Sequence, residues 1–254
     1  MGILTGKKAF ITGAEQGIGK ESARKLIEAG CDIYIHYFSG EEGPQELIAL
    51  AKQKGSLAAC GFADLTNEED AARCVANAAE FLGGIDILVN NVGGIIARKW
   101  LGEIEPHFWR TVIDVNMTTM MNVTQQALPW LKAAPEGASI VNLASLAGRS
   151  GGHAGSLVYS TTKGAVLTWT RSLAAELGEY GIRVNAVAPG LILGTRFHNQ
   201  HTTQASADRT IQEIPLGRAG TPEDVARVIC FLASEYGGFV SGATIDINGG
   251  VYRA

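Results

Sequence analysis

Tyr159 and Lys163 lie four residues apart. On a helix that spacing puts both side chains on one face, within reach of a common small ligand. A tyrosine titrating at ~10 is a poor proton donor or acceptor at neutral pH. A neighbouring ammonium favours the phenolate and lowers that value, so the pair can act as a tuned general acid and base. Ser145 precedes the tyrosine by fourteen residues and follows the apolar run 140–143, which reads as a buried strand. A serine at the carboxyl end of a strand is well placed to hydrogen-bond a substrate oxygen. Tyr-x-x-x-Lys alone also arises as an exposed pair on a helix face, so the rest of the chain decides.

A second chemical signature stands near the start. Thr12-Gly13-Ala14-Glu15-Gln16-Gly17-Ile18-Gly19 joins an apolar run to an amphipathic one. Glycines there let the backbone turn sharply and approach a pyrophosphate, which sits against the positive end of the next helix. Gly19-Lys20 resembles the end of a triphosphate-binding loop. That loop needs Ser or Thr next, to hold magnesium, and here the residue is Glu21, which would also repel phosphates.

Positioning these groups requires a regular scaffold. Short apolar runs at 9–12, 33–37, 57–63, 85–89, 140–143, 183–187 and 243–247 read as strands. Helical patterns fall at 17–28, 46–54, 68–82, 159–179 and 222–234, with a long helical stretch carrying Phe108, Val112, Val115 and Met120 and ending near 131. Strand–helix alternation of this kind calls for an α/β fold, a doubly wound parallel sheet with helices on both faces. No linker interrupts it, so one domain over 1–254 is expected.

Composition narrows the class. The 254 residues are 46% hydrophobic and 18% charged, as in a globular protein, and the formal charge of −4 argues against a nucleic-acid partner. No apolar segment reaches membrane-spanning length, and Met1 to Lys8 has neither a signal-peptide core nor, with Gly6 at the sixth position, a myristoylation motif. The four cysteines (31, 60, 74 and 230) have no metal-ligand spacing and read as buried thiols in a reducing cytoplasm. His198 and His201 lack carboxylate partners, so no metal site is expected.

Taken in order, the motifs resemble the short-chain dehydrogenase/reductase family over essentially the whole chain. The segments that carry the resemblance are the glycine-rich turn, Asp64, Asn90-Asn91-Val92-Gly93, Asn116, Ser145, Tyr159-x-x-x-Lys163 and Pro189-Gly190. The resemblance implies a Rossmann-like fold, a nicotinamide cofactor and hydride transfer between that cofactor and a carbonyl or secondary alcohol. It implies that Tyr159 exchanges the proton, that Ser145 polarises the substrate oxygen, and that Lys163 binds the nicotinamide ribose and lowers the tyrosine pKa. Asn116 would support a water-linked proton path to Lys163. The cofactor would be held by Gly13, Gln16, Gly17, Ile18 and Gly19, and by Tyr37 and Ser39 after the second strand. Asp64 and Leu65 would meet adenine, and Asn91 and Gly93 would line the turn that Asn90 stabilises. Pro189, Gly190, Ile192 and Thr195 would close over the nicotinamide side. The sequence departs from the pattern at Val92, where alanine is usual. The spans from Ser145 to Tyr159 and from Pro189 to Thr195 are each one residue longer than the pattern.

Cofactor choice turns on the end of the second strand, where NAD enzymes place a carboxylate for the ribose 2′-hydroxyl. The run His36-Tyr37-Phe38-Ser39-Gly40 has none, and Asp32 comes too early. The sequence therefore leans to NADP, although neither Gln16 nor Phe38 supplies a cation; Glu41 and Glu42 speak for NAD. Arg98, His153, Arg196 and His198 gather in segments that should rim the pocket, and a polar substrate such as a keto sugar acid would suit them. A polar stretch inside 194–215 reads as a mobile lid. A 3-oxoacyl-thioester reductase and a catalytically silent NADP-binding regulator are the alternatives. Two long helices, with Met117, Met120, Met121, Val123, Val166, Leu167 and Trp169, suggest a homotetramer of the kind common in the family.

Overall fold

The computed structural model of the protein describes residues 2–195 and 202–253. Strands β1 (Lys8–Ile11), β2 (Asp32–Tyr37), β3 (Ala58–Phe62), β4 (Ile87–Asn90), β5 (Ala138–Leu143), β6 (Ile182–Pro189) and β7 (Thr244–Ile247) form one parallel sheet, in the order β3-β2-β1-β4-β5-β6-β7. Side chains alternate across it, as the period of a strand requires. Phe10 of β1 enters the core on one face while Ala9 and Ile11 enter the other; Ile140 and Val141 of β5 divide in the same way. Helices cover both faces. Leu26 of α1 (Gly17–Glu28), Leu47 of α2 (Glu42–Lys54) and Ile229 of α9 (Pro222–Ala233) pack on one side. Val75 of α3 (Glu68–Leu82), Val123 of α5 (Thr119–Lys132) and Leu177 of α7 (Leu157–Leu177) pack on the other.

Local chemistry sets the helix ends. The Asn67 side chain accepts from the Asp70 N–H at 3.0 Å to start α3, and Gly83, left-handed at φ 69°, stops it. Pro222 opens α9 behind a reciprocal cap between Thr221 and Asp224. The long stretch before β5 is not one helix. α4 (Pro106–Ile113) passes into a π-helical turn (Asp114–Thr118) before α5 resumes, and Asn116 sits in that turn. Two helices were not expected from the sequence. α6 (Leu146–Ser150) begins at Ser145, and α8 (Gln204–Glu213) occupies part of the expected lid, capped by Thr203. Arg196, His198 and His201 lie outside the described residues.

The sheet order places the site. After β3 the chain crosses to the far side of β1 to form β4, so the loops after β1 and β4 diverge and leave a crevice at the carboxyl ends.

Candidate active site

A cleft of about 1600 Å³ opens along those carboxyl ends. The glycine turn forms its wall next to β1. Gly13 and Gly17 take left-handed conformations, at φ 62° and 56°. A Cβ on Gly19 would stand 2.3 Å from the Gly13 carbonyl, so α1 can start against the turn only as glycine. The turn is knitted to the loop after β4. Asn91 donates its amide hydrogens to the carbonyls of Thr12 (3.0 Å) and Gly13 (2.7 Å), and the Thr12 hydroxyl accepts from the N–H groups of Asn91 and Val92. This corrects the expectation for Asn90. Its side chain is on the opposite face, donating to Thr124 Oγ1 at 3.0 Å and Asn142 Oδ1 at 2.9 Å, because consecutive residues leaving a strand point opposite ways. Val92 crowds the turn: a Cβ on Gly13 would meet its methyl at 3.0 Å.

Ser145, Tyr159 and Lys163 share the cleft wall. Ser145 is the N-cap of α6, accepting from the Ala147 N–H at 3.1 Å, which fixes its hydroxyl at the end of β5. That hydroxyl also hydrogen-bonds the Tyr159 phenol. Burial pushes the phenol above its usual range, and the Ser145 bond opposes that shift. Lys163 is 3% exposed and donates from Nζ to the Leu143 carbonyl at 2.7 Å. Its Nζ stands 5.8 Å from the centre of the Tyr159 ring, and burial lowers its pKa to about 8.

Asn116 is buried behind the wall. It accepts from the Gly94 N–H at 3.0 Å and donates to the carbonyls of Gly94 and Val112, both at 2.9 Å. Gly93 passes between Asn116 and Lys163 so closely that a Cβ on it would lie 2.7 Å from Asn116 Oδ1 and 2.9 Å from Lys163 Nζ. The π-helical turn brings Asn116 to this place, in keeping with the frequency of such bulges at functional sites.

The remaining expected contacts fall around the same cleft. Gln16, Ile18, Ser39, Asp64, Leu65, Pro189, Gly190, Ile192 and Thr195 all line it, as do Arg98 and His153. Tyr37 does not. Its hydroxyl donates to Glu41, and its ring packs edge-on against Phe62 at 6.1 Å, which turns it away from the cleft. Glu15, Arg209 and His36 are among the lining residues that escaped the sequence reading. Glu15 meets the Ser39 hydroxyl at 3.1 Å through Oε1, while Oε2 is buried with no partner among the described residues. Arg209 enters from α8. His36, from β2, lies under the glycine turn, accepting from the Gly13 N–H at 3.0 Å. Among the described residues no cluster of His, Cys, Asp and Glu could hold a metal ion.

Residues 13–252 match the family model described as enoyl-(acyl carrier protein) reductase. A 3-oxoacyl-[acyl-carrier-protein] reductase of Aquifex aeolicus is 36% identical, covering 98% of both chains. The chain is a short-chain dehydrogenase/reductase. Tetrahydroxynaphthalene reductase of Pyricularia oryzae is 33% identical over 97% of this short-chain dehydrogenase/reductase and 90% of its own length. Among solved structures, the NADH-dependent reductase A1-R′ responsible for alginate metabolism superposes with a TM-score of 0.90 at 30% identity, over 99% of each chain. The protein is therefore an NAD(P)-dependent oxidoreductase acting on CH–OH or C=O groups. The silent-regulator alternative gives way to that finding. Among the described residues no helix is long and apolar enough to cross a membrane.

Proposed function

We propose that this enzyme uses NADH to reduce the carbonyl of a small acidic substrate of the keto sugar acid class. The observation that carries this reading is the set of basic side chains on the cleft wall. Arg98, His153 and Arg209 all line it, and neither arginine forms an ion pair with a described residue. Arg98 donates one N–H to the Ala154 carbonyl at 3.2 Å, and a guanidinium without a carboxylate partner at a binding cleft suits an anionic substrate. The likeness to A1-R′ fits the same class, since alginate is an acidic sugar polymer. Replacing Arg98 or Arg209 by alanine is expected to raise KM about tenfold or more and to leave kcat within a few-fold, as loss of uniform binding does. Steady-state kinetics on keto sugar acids check this, and unchanged KM in both variants would remove the acidic-substrate reading. The curated relatives that reduce 3-oxoacyl-carrier-protein favour a second reading, a thioester reductase, which the same assays on acyl thioesters would reveal.

Within this reading the polar groups divide the work. Bound nicotinamide supplies the hydride. Ser145 and Tyr159 donate to the carbonyl oxygen, and Tyr159 passes its proton to the developing alkoxide. Lys163 stabilises the phenolate left behind and holds the nicotinamide ribose. Asn116 keeps the Gly93–Gly94 backbone from collapsing onto Lys163.

The preference for NADH is inferred against the sequence's lean to NADP. The sequence leaned to NADP because β2 ends without a carboxylate, but Glu15 brings one to the cleft from the turn before α1. A carboxylate beside the adenosine ribose accepts from a 2′-hydroxyl and repels a 2′-phosphate. Replacing Glu15 by glutamine is expected to move the kcat/KM ratio of NADPH to NADH upward by about 10- to 100-fold, the scale of one charged hydrogen bond. A ratio that does not move would return the choice to NADP.

A homotetramer is proposed on Met121, kept from the residues first singled out, together with others. Met120, Val123, Val166 and Leu167 are consumed by the chain's own core. Met121 (37% exposed), Trp109 and Leu157 remain at the surface near α5 and α7, and Phe239 is fully exposed before β7. Sedimentation should give a tetramer at micromolar concentration; a monomer would contradict it. The free thiols of Cys31, Cys60, Cys74 and Cys230 fit residence in the reducing cytoplasm.

A further inference from the structure

His36 is the next-to-last residue of β2, 1% exposed, in a strand whose other members are chiefly apolar. Both its ring nitrogens are committed. The Gly13 N–H donates to Nδ1 at 3.0 Å, so Nδ1 carries no proton. Nε2 lies 3.0 Å from the Ala63 carbonyl, which can only accept, so the proton is on Nε2. The His36 carbonyl accepts the next N–H of the turn, that of Ala14, at 3.0 Å. One residue thus holds the first two N–H groups of the glycine turn and ties them to the end of β3, where Asp64 begins the opposite wall of the cleft.

We propose that His36 is the positioning residue of the dinucleotide-binding turn, and that only its neutral Nε2–H form holds the turn in the shape that takes the cofactor. The inference rests on the placement of the cofactor against that turn argued above. A second proton, on Nδ1, would point at the Gly13 N–H, setting donor against donor in a buried place. The turn must then shift, and with it the spacing between Gly13 and Asp64. Two charged groups face the ring: Glu15 from the turn before α1 and Asp64 from the loop after β3. Both favour the imidazolium, as does the Ala63 bond, but burial disfavours it more strongly and holds the ring neutral below the usual histidine range. The sign follows. Cofactor affinity is complete above the ordinary histidine value of ~6.5 and is lost progressively as pH falls below it.

The test is the dissociation constant of NADH, read by fluorescence titration from about pH 8 to about pH 5, in the wild type and in His36→Asn. Asparagine offers an acceptor and a donor but does not titrate. In the wild type the constant should rise about tenfold toward the acid end, the scale of one buried hydrogen bond lost. In His36→Asn it should be flat across the same range. A histidine that only filled space would lower the melting temperature of the variant without flattening the curve. Should the variant fold poorly, nitrogen NMR of the wild-type imidazole gives the same answer by reciprocity: saturating NADH must lower the pH at which His36 takes its second proton. A flat wild-type curve, an equal slope in His36→Asn or an unmoved imidazole titration overturns the role of His36. Glu15→Arg separates the two levels. If it still shifts the NADPH-to-NADH preference, the cofactor placement stands and only the His36 role falls; if neither residue matters, both fall.

Discussion

Tyr159→Phe should bind NADH as tightly as the wild type and turn over about 10²–10⁴-fold more slowly, the range attributed to a positioned general acid. The substitution removes one oxygen and little volume. α7 keeps its buried residues Val158, Thr162 and Val166, so fold and cofactor cleft should survive. What is lost is the proton for the alkoxide and one of the two hydroxyls that hold the carbonyl oxygen. Ser145 also loses its hydrogen bond to the phenol, but remains fixed by the Ala147 N–H at 3.1 Å. A split between unchanged NADH affinity and collapsed kcat is therefore the expected signature. Near-normal turnover would show that the proton comes from elsewhere.

Gly93→Ala should be nearly as damaging although alanine adds one methyl group. The backbone there has φ 156°, and the new Cβ would sit 2.7 Å from Asn116 Oδ1 and 2.9 Å from Lys163 Nζ. Asn116 is fixed by three hydrogen bonds and cannot yield without exposing buried amide groups. Lys163 must therefore move off the Leu143 carbonyl and away from the tyrosine. Misplacement of a catalytic group by about 1 Å costs on the order of 10²-fold in rate, and kcat should fall by that amount. Gly94→Ala is the internal control. One residue further on, a Cβ finds no atom within 4 Å, and activity should stay close to wild type. Equal kinetics for the two variants would mean that the packing of Gly93 against Lys163 has no part in catalysis.

Particular residues show where the sequence was legible. α1 and α3 have the bounds read from the pattern, because Gly17 and Gly83 punctuate them and an apolar face runs between. The carboxyl ends of β2, β5 and β7 fall where the apolar runs stop, which is why Ser145 could be placed at the end of β5, whereas β1, β3, β4 and β6 end one or two residues away from the runs. α8 was hidden. Its only buried residue is Ala207, so it has no apolar stripe to betray a helix, and Arg209 stayed invisible with it. α6 is too short for any period to show. Asn90 and Asn91 are adjacent and chemically identical; only the strand's exit direction tells which one faces the turn. The partners of His36 and Glu15 are formed across strands and loops distant in sequence, and no local pattern encodes them.

The proposed reaction is reduction of an acidic sugar's carbonyl by Tyr159, Ser145 and Lys163 with hydride from NADH. The most direct measurement is the loss of nicotinamide absorbance when wild type and Tyr159→Phe are given keto sugar acids with NADH or NADPH, beside 3-oxoacyl thioesters under the same conditions. The wild type is expected to oxidise NADH in step with formation of the hydroxy acid, faster than NADPH, and Tyr159→Phe to do so at least about 10²-fold more slowly. Turnover of the thioesters with NADPH, and none of the keto sugar acids with either cofactor, would contradict it.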